Sequence, residues 1–483
     1  MSHPLHESPR CRPEDLGAPI PDSPHAVSVC LPTWADIIGY EEKDPRVIGK
    51  MRTGYPRFFI HPLVNEVSER LRRQHGRAGE DVLPFADEAA AQECTLFIGA
   101  GARVVDAGGG VLAAFFPADS LPRARAYWQH AGRILSSRAA EDWLESGRLR
   151  NPEPGIGDIL RMRLAGWSGA PPEMITLHPS GMAAIYTAFL AASARRPGRR
   201  TVMFGFPYTD TLKILQKFGA GVEFFPRGDS ADLQKVRELL GGEEIAGIFC
   251  EFPGNPLLQV PDLPALHEMA AAARVPLVVD DTIGTFFNVD VLPHADYVAS
   301  SLTKAVSGEG DVMAGALTAN PRGLFGADVH AANPGNIYAR DAEVLEKNSR
   351  DFPQRMKAAN STAVALAGFL ASHPDVEKVY YPGLNPSPVY ESLRKPEGGY
   401  GAVLSFLPRN APEKTPCIFE KLGVNRGISL GTNYSLVCPY VQLAHYHELG
   451  WARDCGIDPF LLRVAVGTEP WPVLHERFAT ALG

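Results

Sequence analysis

From about residue 155 to residue 325 the chain alternates short apolar runs with stretches of helical periodicity. Residues 201–204, 245–250, 275–279 and 297–300 are short and largely apolar, and read as buried strands. Residues 182–193, 210–218, 231–240 and 265–273 lie among them with helical spacing. This alternation predicts a mainly parallel sheet covered by helices on both faces. In such a fold, ligands bind beyond the carboxyl ends of the strands.

The flanking regions follow other patterns. Residues 104–116, centred on Gly108-Gly109-Gly110, predict a glycine-turned hairpin. Gly99-Ala100-Gly101 lacks the third glycine of a dinucleotide fingerprint and reads as a turn. Residues 1–30 are rich in Pro, His and Ser, which predicts a poorly ordered start. Beyond residue 340 a long helical stretch precedes strand-like pieces at 376–381 and 402–406, predicting a smaller α+β domain. The expected division is an N-terminal extension and arm over 1–150, a large domain over 151–340 and a small domain over 341–483.

Composition narrows the function class. A chain of 483 residues, 45% hydrophobic and 21% charged, has the make-up of a globular protein with a large core. Its net charge of −8 points to no nucleic-acid partner and no anionic membrane surface. The seven cysteines are scattered without a CxxC pair, so neither a disulfide framework nor a metal site is expected. The first residues show no apolar targeting segment, and no apolar run is long enough to span a bilayer. A cytoplasmic enzyme acting on small molecules is the expectation.

The candidate chemistry centres on Lys304 and Asp280. Lys304 follows one predicted strand with hydroxyls at Ser301 and Thr303, and Asp280 ends another. A lysine and an acid, each at the end of a predicted strand, suit pyridoxal phosphate. The lysine would hold it as a Schiff base, and the acid would pair with its pyridine nitrogen. A surface lysine and a strand-end carboxylate are the ordinary alternative. Ser180-Gly181-Met182 opens an apolar helix whose free amides could seat a phosphate, or form a plain N-cap. Tyr208 could stack on a flat ring or pack in the core. Asn255 could meet the cofactor's phenolic oxygen or make an Asx turn. Arg463, a lone cation in an apolar strand, needs an anion, either a substrate carboxylate or a structural acid.

Taken together, these segments resemble the cystathionine γ-synthase branch of the Cys/Met-metabolism PLP enzymes. The matching stretches are Gly54-Tyr55-Pro56-Arg57, Ser180-Gly181-Met182-Ala183-Ala184, Glu251-Phe252-Pro253-Gly254-Asn255-Pro256, Val279-Asp280-Asp281-Thr282, Ser301-Leu302-Thr303-Lys304, Ser429-Leu430-Gly431 and Leu462-Arg463-Val464. The extra N-terminal length, with Leu31-Pro32-Thr33-Trp34, resembles the fungal type. The resemblance implies a fold-type-I PLP-dependent transferase. In it, Lys304 links the cofactor, Asp280 pairs with its ring, Tyr208 stacks on it, and Gly181, Met182, Ser301 and Thr303 hold its phosphate. Tyr55 and Arg57 would reach a neighbouring subunit's phosphate, so a homo-oligomer, dimer or tetramer, with shared sites is implied. Ser429 and Arg463 would bind the substrate carboxylate.

The implied reaction is γ-replacement on an O-acyl-L-homoserine, with cysteine as nucleophile and cystathionine as product. Replacement by sulfide or a carbon nucleophile, or a γ-lyase, are the alternatives, and a non-catalytic regulator is the rival from another class. Three positions depart from the family pattern. Ile428 stands where bacterial-type relatives often carry a glutamate, which leaves cysteine's amino group without its usual acid. Glu309 replaces a histidine and Asp281 an asparagine, and both acids are expected to lie behind the site.

Overall fold

The computed structural model describes residues 3–326 and 337–483. Among the described residues, fifteen strands form three sheets. The N-terminal sheet has the order β1-β3-β2, with β1 Glu80–Phe85, β2 Arg103–Asp106 and β3 Leu112–Pro117. Its antiparallel β2–β3 pair, Asp106 opposite Leu112, is the expected glycine-turned hairpin. The large sheet contains β4 Ile175–His178, β5 Thr201–Phe204, β6 Val222–Phe225, β7 Ile248–Glu251, β8 Leu277–Asp280, β9 Tyr297–Ser300 and β10 Gly315–Ala319. Its order is β4-β10-β9-β8-β7-β5-β6. All neighbours from β9 to β6 run parallel, and β10 runs antiparallel to both β9 and β4. The small sheet, β11 Val376–Tyr380, β12 Val403–Pro408, β13 Asn425–Arg426, β14 Leu436–Cys438 and β15 Leu462–Ala465, has the order β11-β12-β15-β14-β13.

Helices α1 Trp34–Glu41, α2 Pro62–His75, α3 Leu121–Ala131, α4 Gly181–Arg195 and α5 Thr209–Lys217 belong to the N-terminal part and the large domain, and all but α2 line the site. Helix α4 is apolar almost all round, because it lies between two layers. Met182, Ile185, Tyr186 and Phe189 share one core with Val82, Phe115 and Trp128 of the N-terminal layer and with Met203 and Leu317 of the large sheet. Residues 62–150 are therefore packed onto the large sheet.

The start of the chain also differs from expectation. Leu5, Ile20 and Cys30 share a core with Tyr434 and Leu436, Arg10 N donates to Asn425 Oδ1 at 2.9 Å, and Cys30 bridges to Gly427. Low hydrophobicity suggested disorder. Several apolar side chains nevertheless insert into the small domain, Val27 joins the core of the large sheet, and their contacts offset the ordering entropy.

Candidate active site

The carboxyl ends of β7, β8 and β9 open into one cleft of about 560 Å3, a volume in the range of ligand-binding pockets. Lys304, Asp280, Ser301, Gly181, Met182, Tyr208, Asn255, Tyr55, Arg57 and Arg463 all line it, and Ser429 reaches Lys304 from its edge. Residues spread over some four hundred positions thus converge on one volume.

Lys304 Nζ donates to Ser429 Oγ at 3.0 Å and lies 4.4 Å from the centre of the Tyr55 ring. Burial lowers its pKa, and the positive charges of Arg463 and Arg57 lower it further against the pull of Tyr55. The amine is therefore pushed toward its neutral, nucleophilic form. Burial works to raise the Tyr55 hydroxyl, but the charges of Lys304 and Arg57 outweigh it and hold that group below the ordinary tyrosine value.

Asp280 ends β8, where its Oδ1 accepts from Thr282 N at 2.9 Å. Burial raises its carboxyl above the ordinary range. Beside it, Glu251 is raised well above its usual value by burial and then by the charge of Asp280. Two carboxyls in a desolvated floor call for a cation. Glu251 also organises the loops around it. Its Oε1 accepts from Tyr208 N at 2.5 Å and its Oε2 from Asn255 N at 3.0 Å. In the sequence Glu251 stands out only as part of a family-matching stretch, although an acid at the end of an apolar run is an available signal.

One end of the cleft lies at the start of α4. Ser180 Oγ accepts from Ala183 N at 3.1 Å and donates to Gly132 O at 2.8 Å. The amides of Gly181 and Met182, in the first turn, have no intrahelical acceptor. Glycine is needed at 181, since a Cβ there would stand 2.7 Å from Ser301 Cβ. Ser301 N donates to Thr282 Oγ1 at 2.8 Å, which fixes the turn that brings its side chain to the cleft. Thr303, by contrast, is turned away. Its hydroxyl, expected to hold a phosphate, donates to Ala314 O at 3.1 Å and accepts from Ala314 N at 2.9 Å. Both of its hydrogen-bonding roles are taken by one backbone neighbour.

Arg57 is buried in the same cleft. It is ion-paired with Asp210, donates from Nη1 to Gln129 O at 2.6 Å and from Nη2 to Tyr208 Oη at 2.7 Å. Burial works against its charge, yet Tyr208 and Asp210 hold its pKa above the usual value. Asp210 is held low by Arg57 and His130 despite burial. Burial raises the Tyr208 hydroxyl well above its usual value. Tyr55 and Arg57, expected to reach a neighbouring subunit's phosphate, lie in this chain against its own cleft. Their ion pair and ring contacts join them to Asp210, Tyr208 and Lys304 of their own cleft.

Arg463 lies in the middle of the small sheet, opposite Ser405 and Cys438. Its Nη1 donates to Asn255 Oδ1 at 3.2 Å and its Nη2 to the carbonyls of Ile428 and Ser429, both at 3.3 Å. It lies 4.7 Å from the Tyr440 ring centre. Ser405 Oγ donates to Pro256 O at 2.8 Å, locking the small sheet to the Asn255 turn. Among the described residues no carboxylate pairs with Arg463. Ile428 lines the cleft, whereas Glu309 and Asp281 do not. Glu309 accepts from Asn433 Nδ2 at 2.6 Å and lies 3.6 Å from His3, and Asp281 accepts from Ser300 Oγ.

Residues 121–483 match the family of Cys/Met metabolism PLP-dependent enzymes, three quarters of the chain. The chain belongs to this family. Residues 63–136 match the N-terminal domain of fungal trans-sulfuration enzymes, which accounts for the layer built on β1–β3. The cystathionine gamma-synthase of Neurospora crassa is 32% identical, over 97% of this chain and 98% of that protein. The L-2-amino-4-chloropent-4-enoate dechlorinase/desaturase of Streptantibioticus cattleyicolor is 33% identical, over 96% of this chain and 97% of that protein. A solved cystathionine gamma synthase from Xanthomonas oryzae pv. oryzae, in complex with cystathionine, is 26% identical with a TM-score of 0.61, covering 68% of this chain and 86% of that chain.

As a Cys/Met metabolism PLP-dependent enzyme, the chain takes pyridoxal 5'-phosphate. The residues present fit that group. Arg57 Nε is buried with no partner, and the α4 amides beside Ser301 offer further donors to an anion. The paired carboxyls at the floor suit a protonated ring nitrogen. Among the described residues no helix is long and apolar enough to cross a membrane.

Proposed function

We propose that this chain replaces the γ-acyloxy group of an O-acyl-L-homoserine with the thiol of cysteine, forming cystathionine. The C–O bond breaks and its electron pair leaves with the carboxylate. A C–S bond forms at Cγ, and the thiol proton is released. The observation that supports this most directly is Arg463, a buried guanidinium without an acid partner, in the same cleft as Lys304.

When bound, pyridoxal 5'-phosphate supplies the electron sink that makes Cα and then Cβ acidic enough to lose protons. Lys304 is assigned both the covalent hold on the cofactor and the proton transfers at Cα and Cβ. Burial, which lowers its pKa from the ordinary lysine value, favours the neutral amine that a base requires. Asp280 is assigned to the ring nitrogen, Gly181, Met182 and Ser301 to the phosphate, and Arg57 to the same anion through its free Nε. Tyr208 is assigned to the ring face. Arg463, fixed by Asn255, is assigned to the substrate α-carboxylate, with Ser429 steering Lys304.

Ile428 favours one second reading, in which the same acyl ester reacts with sulfide or a carbon nucleophile that carries no ammonium group. Incubating the holoenzyme with O-acetyl- and O-succinyl-homoserine and a panel of nucleophiles, with products weighed by mass spectrometry, decides between them. Cystathionine as the main product supports the first reading. A sulfur-free or homocysteine product supports the second, and no loss of the acyl group sinks both.

A further inference from the structure

The cleft contains a carboxylate that the assignments above leave idle. Glu41 is the last residue of α1, and it lines the same cleft as Lys304, Ile428 and Arg463. It is half-buried, and among the described residues no hydrogen bond or ion pair reaches its carboxylate. Its nearest cation does not serve it. The Lys43 ammonium instead donates to Tyr40 O at 3.3 Å and lies 4.8 Å from the Tyr40 ring centre. The other acid on that wall, Glu448, is already engaged, 2.9 Å from His445 and 3.4 Å from Lys213.

The position is unfavourable for a lone anion on two counts. Burial raises the Glu41 carboxyl to about 7, against the smaller pull of Lys43. The carbonyl end of a helix also carries partial negative charge, which repels a carboxylate in the last turn. Both costs disappear when a cation binds. The helix that carries Glu41 is firmly held, moreover, so the carboxylate is presented rather than free to swing away. Trp34 N donates to Glu420 Oε1 at 2.8 Å at one end, Tyr446 Oη donates to Glu42 Oε1 at 2.6 Å at the other, and Ile37 and Tyr40 sit in the small-domain core between them.

We propose that Glu41 receives the ammonium group of the amino acid that attacks Cγ. This rests on the γ-replacement reading and deepens it. The acid absent at position 428 is supplied from the N-terminal helix, and selection for an amino-acid nucleophile is a property of that helix rather than of the loop that carries Ser429.

The test compares cysteine with 3-mercaptopropionate, which has the same thiol and carboxylate but no amino group. Both are assayed with the holoenzyme and with Glu41→Gln, alongside acyl release from O-acyl-homoserine in the absence of a nucleophile. Loss of a charge-assisted contact should lower kcat/KM for cysteine about 10- to 150-fold. The values for 3-mercaptopropionate and the nucleophile-free acyl release should stay at parent level, which also shows that the variant is folded. Unchanged kinetics with cysteine, or an equal fall for both thiols, overturns the role of Glu41. Failure of the parent enzyme to release either acyl group overturns the γ-replacement reading itself, and this assignment with it.

Discussion

The guanidinium of Arg57 and the carboxylate of Asp210 form an ion pair that is almost wholly enclosed, joining the N-terminal segment to helix α5 of the large domain. Such a pair is held less by its net attraction than by the cost of separating it, since either partner alone would be an uncompensated buried charge.

Asp210→Ala should therefore destabilise the fold by about 3–5 kcal/mol. Denaturant unfolding of the parent and the variant measures it. A loss below about 1 kcal/mol, the range of exposed pairs, would show that water reaches the Arg57 site.

Lys304→Ala should abolish turnover and leave no borohydride-reducible bond between chain and cofactor. Peptide mapping of the reduced parent should place the label on Lys304. A label on another lysine removes Lys304 from its assigned role.

Subunit mixing tests where Tyr55 and Arg57 act. Because both contact their own chain's Lys304 and Tyr208 surroundings, inactive Arg57→Ala and Lys304→Ala chains should recover no activity when mixed. Recovery in verified mixed assemblies would mean that this segment completes a partner's cleft.

Arg463→Lys keeps the charge but loses the fork that spans Asn255 and the carbonyls of 428 and 429. It should raise KM for the acyl ester, and Arg463→Met should cost about 1.5–3 kcal/mol in kcat/KM. Equal kinetics for all three proteins would mean that the α-carboxylate binds elsewhere.

Asp281→Asn tests a buried acid by pH. Burial raises the Asp281 carboxyl from 3.8 to about 7, with Asp280 adding to the effect. The folded state therefore holds a proton that the unfolded chain has lost, and the stability contributed by this group falls as pH rises from about 4 through 7. The variant should gain Tm over the parent progressively across that window, since Asn stays neutral and can still accept from Ser300. A constant Tm difference from pH 4 to 8 would show that Asp281 titrates normally.

Much of this arrangement was legible beforehand where one strong pattern dominated. The run 201–204 is β5 and 297–300 is β9, because buried parallel strands are short apolar runs with little competing signal. Lys304 and Asp280 meet in one cleft because both follow such strands. What stayed hidden depends on side-chain direction. Thr303 and Ser301 are both hydroxyls in one turn, and only the backbone decides that one faces Ala314 and the other the cleft. Glu41 and Glu251 looked like ordinary acids because burial, not residue type, makes them unusual. The first thirty residues misled because average composition conceals a few well-placed apolar anchors.

The closeness of Gly181 to Ser301 carries a consequence for how the site can change. With 2.7 Å between an added Cβ and the serine, the two positions behave as one variable, although they lie on different segments of the chain. A larger residue at 181 must be matched by a displaced residue at 301, since an added Cβ also stands 2.9 Å from the Ser301 Cα, and a displaced 301 carries Lys304 with it. Altering the anion seat therefore also re-aims the lysine, so that anion binding and catalytic alignment in this chain can only be inherited or redesigned together.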